Sequence, residues 1–308
     1  MNHPESLKSQ QEESHKNSYS EIVKKDKSKS YLSIDNTRGW ARNYPFYQLE
    51  TFFRNLPKSE FLTVGDGKGG HEAQILKRFG HRATGTDIAT DILEVAKQEN
   101  LIDEFFKEDA EKLSFKDSSF DFSVIKESLH HLPRPYLCIY EMLRVSRKGI
   151  MLVEPNGDRS YQIGNEQYES GGNYKYQFTL KELVQCAASL GYNNVAYGYA
   201  PNVNYILNCF CFRTEFPEQW AHKETRPTPQ ELVGQLLPCS LKYGTDFHAA
   251  KEDFQKAVDQ WYGSHEKDIN PLLVFMIFKE KLDENLQQLL QMCHMKLPEV
   301  KPNPYLTK

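Results

Sequence analysis

The sequence lacks the features that define several large classes of protein. None of its apolar runs approaches the ~18 residues of a membrane-spanning helix, and the N-terminus has no apolar signal-peptide core. We therefore expect a soluble, cytoplasmic protein with no membrane partner. The formal net charge of −4 gives no global electrostatic reason for binding to nucleic acid, so we expect no such partner.

Cysteine is sparse, and its spacing does not indicate a metal site or a disulfide framework. The 308-residue chain has six cysteines, and only Cys209 and Cys211 lie close together in the sequence. A separation of one residue is not typical of zinc sites or thioredoxin-like redox sites. We expect free thiols in a reducing compartment and no metal cofactor. The sequence also shows no internal repeat.

The chain contains enough apolar residues for one sizeable core, with 39% hydrophobic and 26% charged residues. Its N-terminal stretch has almost no large apolar side chains, so it cannot bury enough surface to offset the entropy of ordering. Changes in composition divide the chain into a disordered tail (1–30), a helical and aromatic lid (31–57), a cofactor-binding core (58–200), an insertion that would cap an acceptor site (201–270), and a last core strand with a C-terminal helix (271–308).

Aromatic side chains crowd the segment that follows the tail, and Pro45 interrupts them. Their spacing fits a helix from about residue 46 to residue 55 that packs against the core. The aromatic residues before that helix have two readings that the sequence leaves open. They either cover a ligand as a lid or serve only as hydrophobic packing.

A glycine-rich loop organises the rest of the chain. The apolar run that begins at Phe61 ends in Gly65, Gly67 and Gly70, and a helical pattern starts near His71. A strand followed by such a loop leaves backbone N–H groups and a helix N-terminus facing a ligand. Asp87 ends the next apolar strand, about 20 residues later, as expected for an acid that binds a ribose. The sequence therefore predicts a nucleotide-type cofactor site.

Strands alternate with helical patterns over about 95 residues, which is typical of a doubly wound, mostly parallel α/β sheet. After this region the alternation loosens, and 272–278 (LLVFMIF) is the last convincing strand. It lacks a partner helix at ordinary spacing from an earlier strand. We therefore expect it to pair antiparallel with 194–199, which makes the residues between them a partly helical insertion.

Six segments of the core resemble class I S-adenosylmethionine-dependent methyltransferases of type 11, in the order and spacing of that family. The resemblance covers about a third of the chain. It implies a Rossmann-like sheet of seven strands, with the last strand antiparallel, and it implies S-adenosylmethionine as the cofactor. The segments are LTVGDGKGG (62–70), TGTDI (84–88), KEDAEKLSFKDSSFDFSVI (107–125), ESLHHLPRP (127–135), EMLRVSRKG (141–149) and LVEPN (152–156).

The resemblance implies a role for individual residues of the cofactor site. The loop of Gly65, Asp66 and Gly67 would lie against the methionine part. The remaining roles are a ribose acceptor (Asp87), an apolar contact to adenine (Ile88), an acceptor for the adenine amino group (Asp109), an amide that meets a ring nitrogen (Ala110), and backbone that binds the methionine amine (Lys126).

One residue departs from the pattern of the family. Many members carry an acid two residues before the first glycine, where this chain has Thr63. The departure removes one expected carboxylate near the ammonium group of the cofactor. Asp66 or Glu127 would be the residues to compensate for it.

A pair of histidines follows the fourth strand, at the edge of the sheet where ligands of open α/β folds bind. The run Glu127–His131 (ESLHH) is similar to that of sugar and natural-product O-methyltransferases. This similarity implies that His130 or His131 deprotonates a hydroxyl acceptor, assisted by Glu154 or, less directly, by Asp158. One of the two histidines is expected to have only a structural role.

We therefore expect methyl transfer to a small or medium-sized acceptor, most simply the hydroxyl of a sugar, phenol or secondary metabolite. Three alternatives remain open: methylation of a macromolecule, binding of the cofactor without catalysis by a regulatory protein, and oxidation or reduction with a dinucleotide. The sequence does not determine the acceptor or the oligomeric state, although the C-terminal helix could pack in a homodimer.

Overall fold

The computed structural model describes residues 3–24, 32–35, 37–159, 168, 173–203, 252–253, 255–256, 258–259, 271–302 and 304–305. These residues form a seven-stranded sheet with helices on both faces. Within the described residues, no helix combines the length and the apolar character needed to cross a bilayer.

The sheet has the spatial order β3-β2-β1-β4-β5-β7-β6. Pairs among the first five strands are parallel, and β7 runs antiparallel to both of its neighbours, β5 and β6. This confirms the predicted doubly wound sheet with an antiparallel last strand. The strands are β1 (Glu60–Val64), β2 (Arg82–Asp87), β3 (Glu104–Lys107), β4 (Phe120–Lys126), β5 (Ser146–Pro155), β6 (Asn194–Ala200) and β7 (Leu272–Phe278).

Helices connect the strands and precede them in the chain. They are α1 (His3–Lys24), α2 (Thr37–Arg42), α3 (Tyr44–Gln48), α4 (Glu50–Asn55), α5 (His71–Arg78), α6 (Asp91–Gln98), α7 (Pro135–Val145), α8 (Leu180–Ser189) and α9 (Glu284–Met292). Helix α8 begins with a reciprocal capping box between Thr179 and Glu182, a pattern that satisfies two backbone donors at a helix start.

The core has one layer on each face of the sheet, because side chains of a strand point alternately to opposite faces. In β5, Met151 and Val153 pack with α5, α6 and α9, whereas Ile150 and Leu152 pack with α7 and α8. This burial on both sides explains why the central strands are continuous apolar runs. It also holds the C-terminal ends of β1, β2, β4 and β5 in fixed positions at one edge.

The aromatic segment before β1 packs in the core. Trp40, Phe46 and Phe53 are each at most 1% exposed, and the ring of Phe53 stacks on Phe79 of the same core layer at 5.9 Å between centroids. Of the two readings left open, packing therefore describes these rings. The helix expected over 46–55 is split in two at Leu49.

The expectation of a disordered tail over residues 1–30 was wrong for 3–24, which form α1. Few apolar residues support this helix, and its contacts are mostly polar ones made to residues far away in the sequence, such as that of Lys8 to Asp109. Propensity and composition carry no information about such contacts. The expected insertion over 201–270, including the helical pattern near 229–237, lies almost entirely outside the described residues.

Candidate active site

The glycine loop joins β1 to α5 and forms one wall of a cavity at the C-terminal edge of the sheet. Gly65 has a positive φ of 72°, a conformation that glycine adopts without strain. At Gly67 a Cβ atom would lie 2.3 Å from Cγ of Asp87, so any side chain there would displace the acid. The amide of Gly67 instead donates to Oδ2 of Asp87 at 2.9 Å.

Asp87 ends β2 and borders the cavity together with Ile88. Its second oxygen, Oδ1, accepts a hydrogen bond from the amide of Ala89 at 2.9 Å. Burial raises the pKa of Asp87 to about 6, although the amides of Ala89 and Gly67 oppose the shift. A buried carboxylate with oriented oxygens at a strand end is suited to accept hydrogen bonds from ligand hydroxyls.

Asp66 borders the cavity, but its carboxylate serves the protein itself. Oδ2 accepts a hydrogen bond from Oγ1 of Thr63 at 2.8 Å and one from the amide of Ala73 at 3.0 Å, and Oδ1 accepts one from the amide of Glu72 at 3.3 Å. It thus satisfies backbone donors at the start of α5. Burial and the neighbouring Glu72 hold the pKa of Asp66 well above its usual range. Both oxygens of Asp66 are thus engaged by Thr63 and by the start of α5, although the residue borders the cavity.

Lys126, the last residue of β4, lies in a buried network of charges. Its Nζ is 3.2 Å from a carboxylate oxygen of Glu72 and 3.2 Å from one of Glu127. Although burial alone would lower the pKa of Lys126, the two carboxylates raise it above its ordinary value. Glu127 has a positive φ of 48°, a strained conformation for a residue with a side chain. Glu127, one of the two residues expected to compensate for Thr63, and Glu72 thus place two carboxylates at the wall of the cavity.

Asp109 and Ala110 follow β3 at the far side of the cavity. Ala110 borders the cavity and Asp109 itself does not, and the carboxylate of Asp109 is engaged by α1, the segment that was expected to be disordered. Nζ of Lys8 in α1 lies 2.5 Å from Oδ2 of Asp109. The other oxygen of Asp109 accepts from the amide of Glu111 at 2.9 Å.

His130 and Glu154 form a dyad beside the cavity. Nδ1 of His130 is 2.5 Å from Oε2 of Glu154, whose side chain is fully buried. Oε1 of Glu154 accepts hydrogen bonds from the amides of Ser128 at 3.1 Å and Leu129 at 2.9 Å. The core strand β5 thus fixes the carboxylate, and the carboxylate fixes the imidazole.

His131 also borders the cavity, with its ring centroid 3.9 Å from that of His130. The structure places Glu154 against His130 rather than His131. Asp158, the looser candidate, accepts a hydrogen bond from the amide of Leu180 at 3.2 Å and lies outside the residues that border the cavity. Of the predicted acids, Glu154 is therefore the one brought to the histidines.

The cavity has a volume of about 360 Å³, which lies within the ~300–1,000 Å³ of small-molecule sites. Residues 62–153, which supply most of its walls, match the family model for a methyltransferase domain. The chain carries a class I S-adenosylmethionine-dependent methyltransferase domain. Its cofactor is S-adenosylmethionine.

Part of the chain is similar in sequence to curated methyltransferases. The chain is 26% identical to phosphoethanolamine N-methyltransferase 2 of Caenorhabditis elegans over 148 residues, which are 45% of the chain and 33% of that protein. It is 33% identical to 2-methyl-6-phytyl-1,4-hydroquinone methyltransferase of Synechocystis over 100 residues, 32% of the chain and 31% of that protein. The chain thus spans about a third of the length of these relatives.

Solved structures support the fold. Phosphoethanolamine N-methyltransferase 2 of Haemonchus contortus, in complex with phosphomonomethylethanolamine and S-adenosylhomocysteine, superimposes with a TM-score of 0.50 at 18% identity. The alignment covers 78% of this chain and 53% of that one. At this level of identity the likeness speaks for a common fold.

The residues around the cavity of the methyltransferase domain fit S-adenosylmethionine chemically. The buried carboxylate of Asp87 suits hydroxyl donors, and Ile88 and Ala110 offer apolar surface on the same side. At the other side, Glu72 and Glu127 provide negative charge for an ammonium group. The donor and acceptor types match the ribose, adenine and amino groups of the cofactor.

Sequence analysis missed several residues that border the cavity of the methyltransferase domain. Arg42 and Lys68 bring positive charge, and α1 contributes Gln11, His15 and Tyr19. The three α1 residues are four apart, and a helix places such residues on one face. The spacing of these three residues was the signal for a helix face that the sequence offered. Because the segment is mostly polar, that spacing did not show that the segment is ordered.

Proposed function

We propose that the protein transfers the methyl group of S-adenosylmethionine to a hydroxyl of a small or medium-sized acceptor, such as a sugar or a secondary metabolite, with His130 as general base. The observation that carries this proposal is the contact of 2.5 Å between His130 and Glu154. A histidine held by a buried carboxylate beside a ligand cavity is an arrangement suited to accept a proton near neutral pH.

In this proposal the strand ends hold the nucleoside part of the cofactor. Asp87 accepts hydrogen bonds from the ribose hydroxyls, and Ile88 packs on the adenine. Asp109 accepts a hydrogen bond from the adenine amino group, and the amide of Ala110 donates to a ring nitrogen. Support comes from the position of Asp87, Ile88 and Ala110 along one side of the cavity.

The methionine part would lie against Gly65, Gly67 and the charged network of Lys126. Glu127 and Glu72 attract the ammonium group of the ligand, and backbone near Lys126 accepts a hydrogen bond from it. Arg42 and Lys68, which border the same cavity, are suited to pair with its carboxylate. In this arrangement the acidic residues of the cavity meet the ammonium group of the methionine part, and the basic residues meet its carboxylate.

For methyl transfer the protein needs only to orient the two reactants and to accept the proton of the acceptor hydroxyl. S-adenosylmethionine supplies an already activated methyl group on a sulfonium. The carboxylate of Glu154 accepts a hydrogen bond from Nδ1–H of His130, which leaves Nε2 as the basic nitrogen of the neutral ring. His130 would take the proton of the acceptor hydroxyl at Nε2. Glu154 stabilises the imidazolium that forms.

The test is a turnover assay with the full-length protein and a panel of acceptors, in which formation of S-adenosylhomocysteine is measured. With an acceptor that reacts, His130→Ala should lower kcat by about 10²–10⁴-fold, the usual contribution of general base catalysis. His131→Ala is the matched control, and it should lower kcat far less. A His130→Ala variant with unchanged kcat would contradict the proposed base.

The panel should also contain phosphoethanolamine and a hydroquinone, because the relatives named above are methyltransferases for such compounds. Methylation of an amine nitrogen is accordingly a second candidate, favoured by the similarity to phosphoethanolamine N-methyltransferase 2. Cofactor binding without turnover on the whole panel would favour methylation of a macromolecule or a regulatory role without catalysis.

A further inference from the structure

Helix α1 is joined to the rest of the protein mainly by polar contacts. Among the α1 side chains that the structure describes, Tyr19 is the buried hydrophobic one. Nε2 of Gln11 donates to the carbonyl of His131 at 3.3 Å, and Oγ of Ser20 donates to a carboxylate oxygen of Asp91 at 3.1 Å. Such a helix can separate from the sheet without exposing a large apolar surface.

The strongest of these contacts is made by Lys8. Its Nζ lies 2.5 Å from Oδ2 of Asp109 and 3.0 Å from Oε2 of Glu111. The side chain of Lys8 is only 11% exposed and that of Glu111 only 1%, and Arg134 also binds Glu111 through Nε at 2.7 Å. Ionic hydrogen bonds that are shielded from water are stronger and less screened than surface pairs.

This contact lies at the rim of the candidate cofactor cavity. Ala110, next to Asp109 in the chain, borders the cavity. Gln11, one turn after Lys8 on the same face of α1, also borders the cavity. His15 and Tyr19 of α1 border the cavity as well, so the helix forms part of its wall, and Lys8 fastens the helix there.

We propose that Lys8 is a positioning residue of the cofactor site, which orients Asp109 beside the adenine and holds α1 closed over the bound nucleoside. This inference rests on the proposed function, since it requires S-adenosylmethionine in the cavity. Oδ1 of Asp109 accepts from the amide of Glu111 and Oδ2 from Lys8, and each oxygen has a further lone pair. An adenine amino group can therefore bind Asp109 while Lys8 stays in place.

Departure of the nucleoside then requires Lys8 to release Asp109 and Glu111. The test measures the association and dissociation rates of S-adenosylhomocysteine on the immobilised full-length protein by surface plasmon resonance. Lys8→Met should raise the dissociation rate at least fivefold, and Lys8→Arg, which keeps the charge, should restore it to within twofold of wild type. Circular dichroism checks that each variant is folded.

The matched control is Glu12→Gln, which removes another ion pair of α1. Glu12 pairs with Lys107, but both side chains are well exposed, at 37% and 59%, so water and salt weaken the pair. The dissociation rate of this variant should stay within twofold of wild type. If the loss of any ion pair were enough to loosen α1, the dissociation rate would rise equally in Lys8→Met and in Glu12→Gln.

A second readout follows α1 directly by hydrogen–deuterium exchange of its backbone amides. S-adenosylhomocysteine should slow exchange in α1 of wild type and of Glu12→Gln, but much less in Lys8→Met. Equal dissociation rates in Lys8→Met and Glu12→Gln, or no protection of wild-type α1 by the ligand, would overturn the inference and leave the proposed function intact. Failure of wild type to bind the ligand at all would instead contradict the proposed function.

Discussion

The two ends of the cavity differ in how the protein holds its key carboxylate. At the histidine end, Glu154 is fully buried and is fixed by the amides of Ser128 and Leu129. At the far end, Asp109 keeps 35% of its side chain exposed and is fixed by Lys8, from a helix about a hundred residues earlier in the chain.

This difference matches the tasks proposed for the two ends. A base must keep its geometry through every turnover, and a carboxylate held by core backbone provides that rigidity. A ligand site must also open, and contacts that belong to a weakly buried helix can break at moderate cost. In this proposal the sheet forms the rigid end of the site, and α1 forms the end that opens for ligand exchange.

The largest effect is expected from removal of the fixed carboxylate. Glu154→Ala leaves two backbone donors and His130 without their acceptor, and each unsatisfied buried donor costs about 1–3 kcal/mol. We therefore expect the free energy of unfolding, measured by urea denaturation, to fall by about 2–5 kcal/mol. Turnover should fall as well, because His130 loses its orientation.

The matched variant at the other end is Asp109→Asn. Because that ion pair is partly exposed and Lys8 keeps Glu111 as a partner, the expected loss of unfolding free energy is below about 1 kcal/mol. Equal losses in Glu154→Ala and Asp109→Asn would refute the contrast between a rigid end and an exchangeable end.

A smaller effect is expected from pH, through Asp87. Burial raises the pKa of this carboxyl from its ordinary 3.8 to about 6, so it is ionised at pH 7.5 and becomes protonated as the pH falls below 6. Only the ionised form accepts two strong hydrogen bonds from ribose hydroxyls. The Kd of S-adenosylhomocysteine should therefore be constant above pH 7 and rise by up to about tenfold per pH unit below 6.

Asp87→Asn serves as the control, because its amide does not titrate. The variant should bind more weakly at pH 7.5 and lose most of the change in Kd between pH 7 and pH 5. If the dependence on pH survives the substitution, another group that borders the cavity is its source, and the role given to Asp87 is wrong.

Much of the fold and part of the site could be predicted from the sequence, because successive strand ends meet at one edge of a parallel sheet. Gly65, Asp87, His130 and Glu154 follow or end apolar runs, so their meeting at that edge follows from chain order. The pairing of β7 between β5 and β6 was expected only in part, since the strand spacing indicated β6 alone as its neighbour.

What escaped prediction depends on contacts that no local pattern encodes. Asp66 follows the first glycine in sequence, but whether its carboxylate faces a ligand or caps α5 depends on how the loop folds back onto Thr63. Likewise, the polar stretch that forms α1 is ordered through ion pairs with Asp109 and Glu111. The aromatic segment, for which the sequence left open a cover or hydrophobic packing, is core packing.

The most direct test of the account is a calorimetric titration of the full-length protein with S-adenosylhomocysteine, in wild type and in Asp87→Ala. The account predicts micromolar binding by wild type. It also predicts a loss of about 1–3 kcal/mol in the variant, the cost of lost charge-assisted hydrogen bonds. Folded wild-type protein that binds neither this ligand nor S-adenosylmethionine, or a variant that binds as tightly as wild type, would contradict the proposed cofactor site.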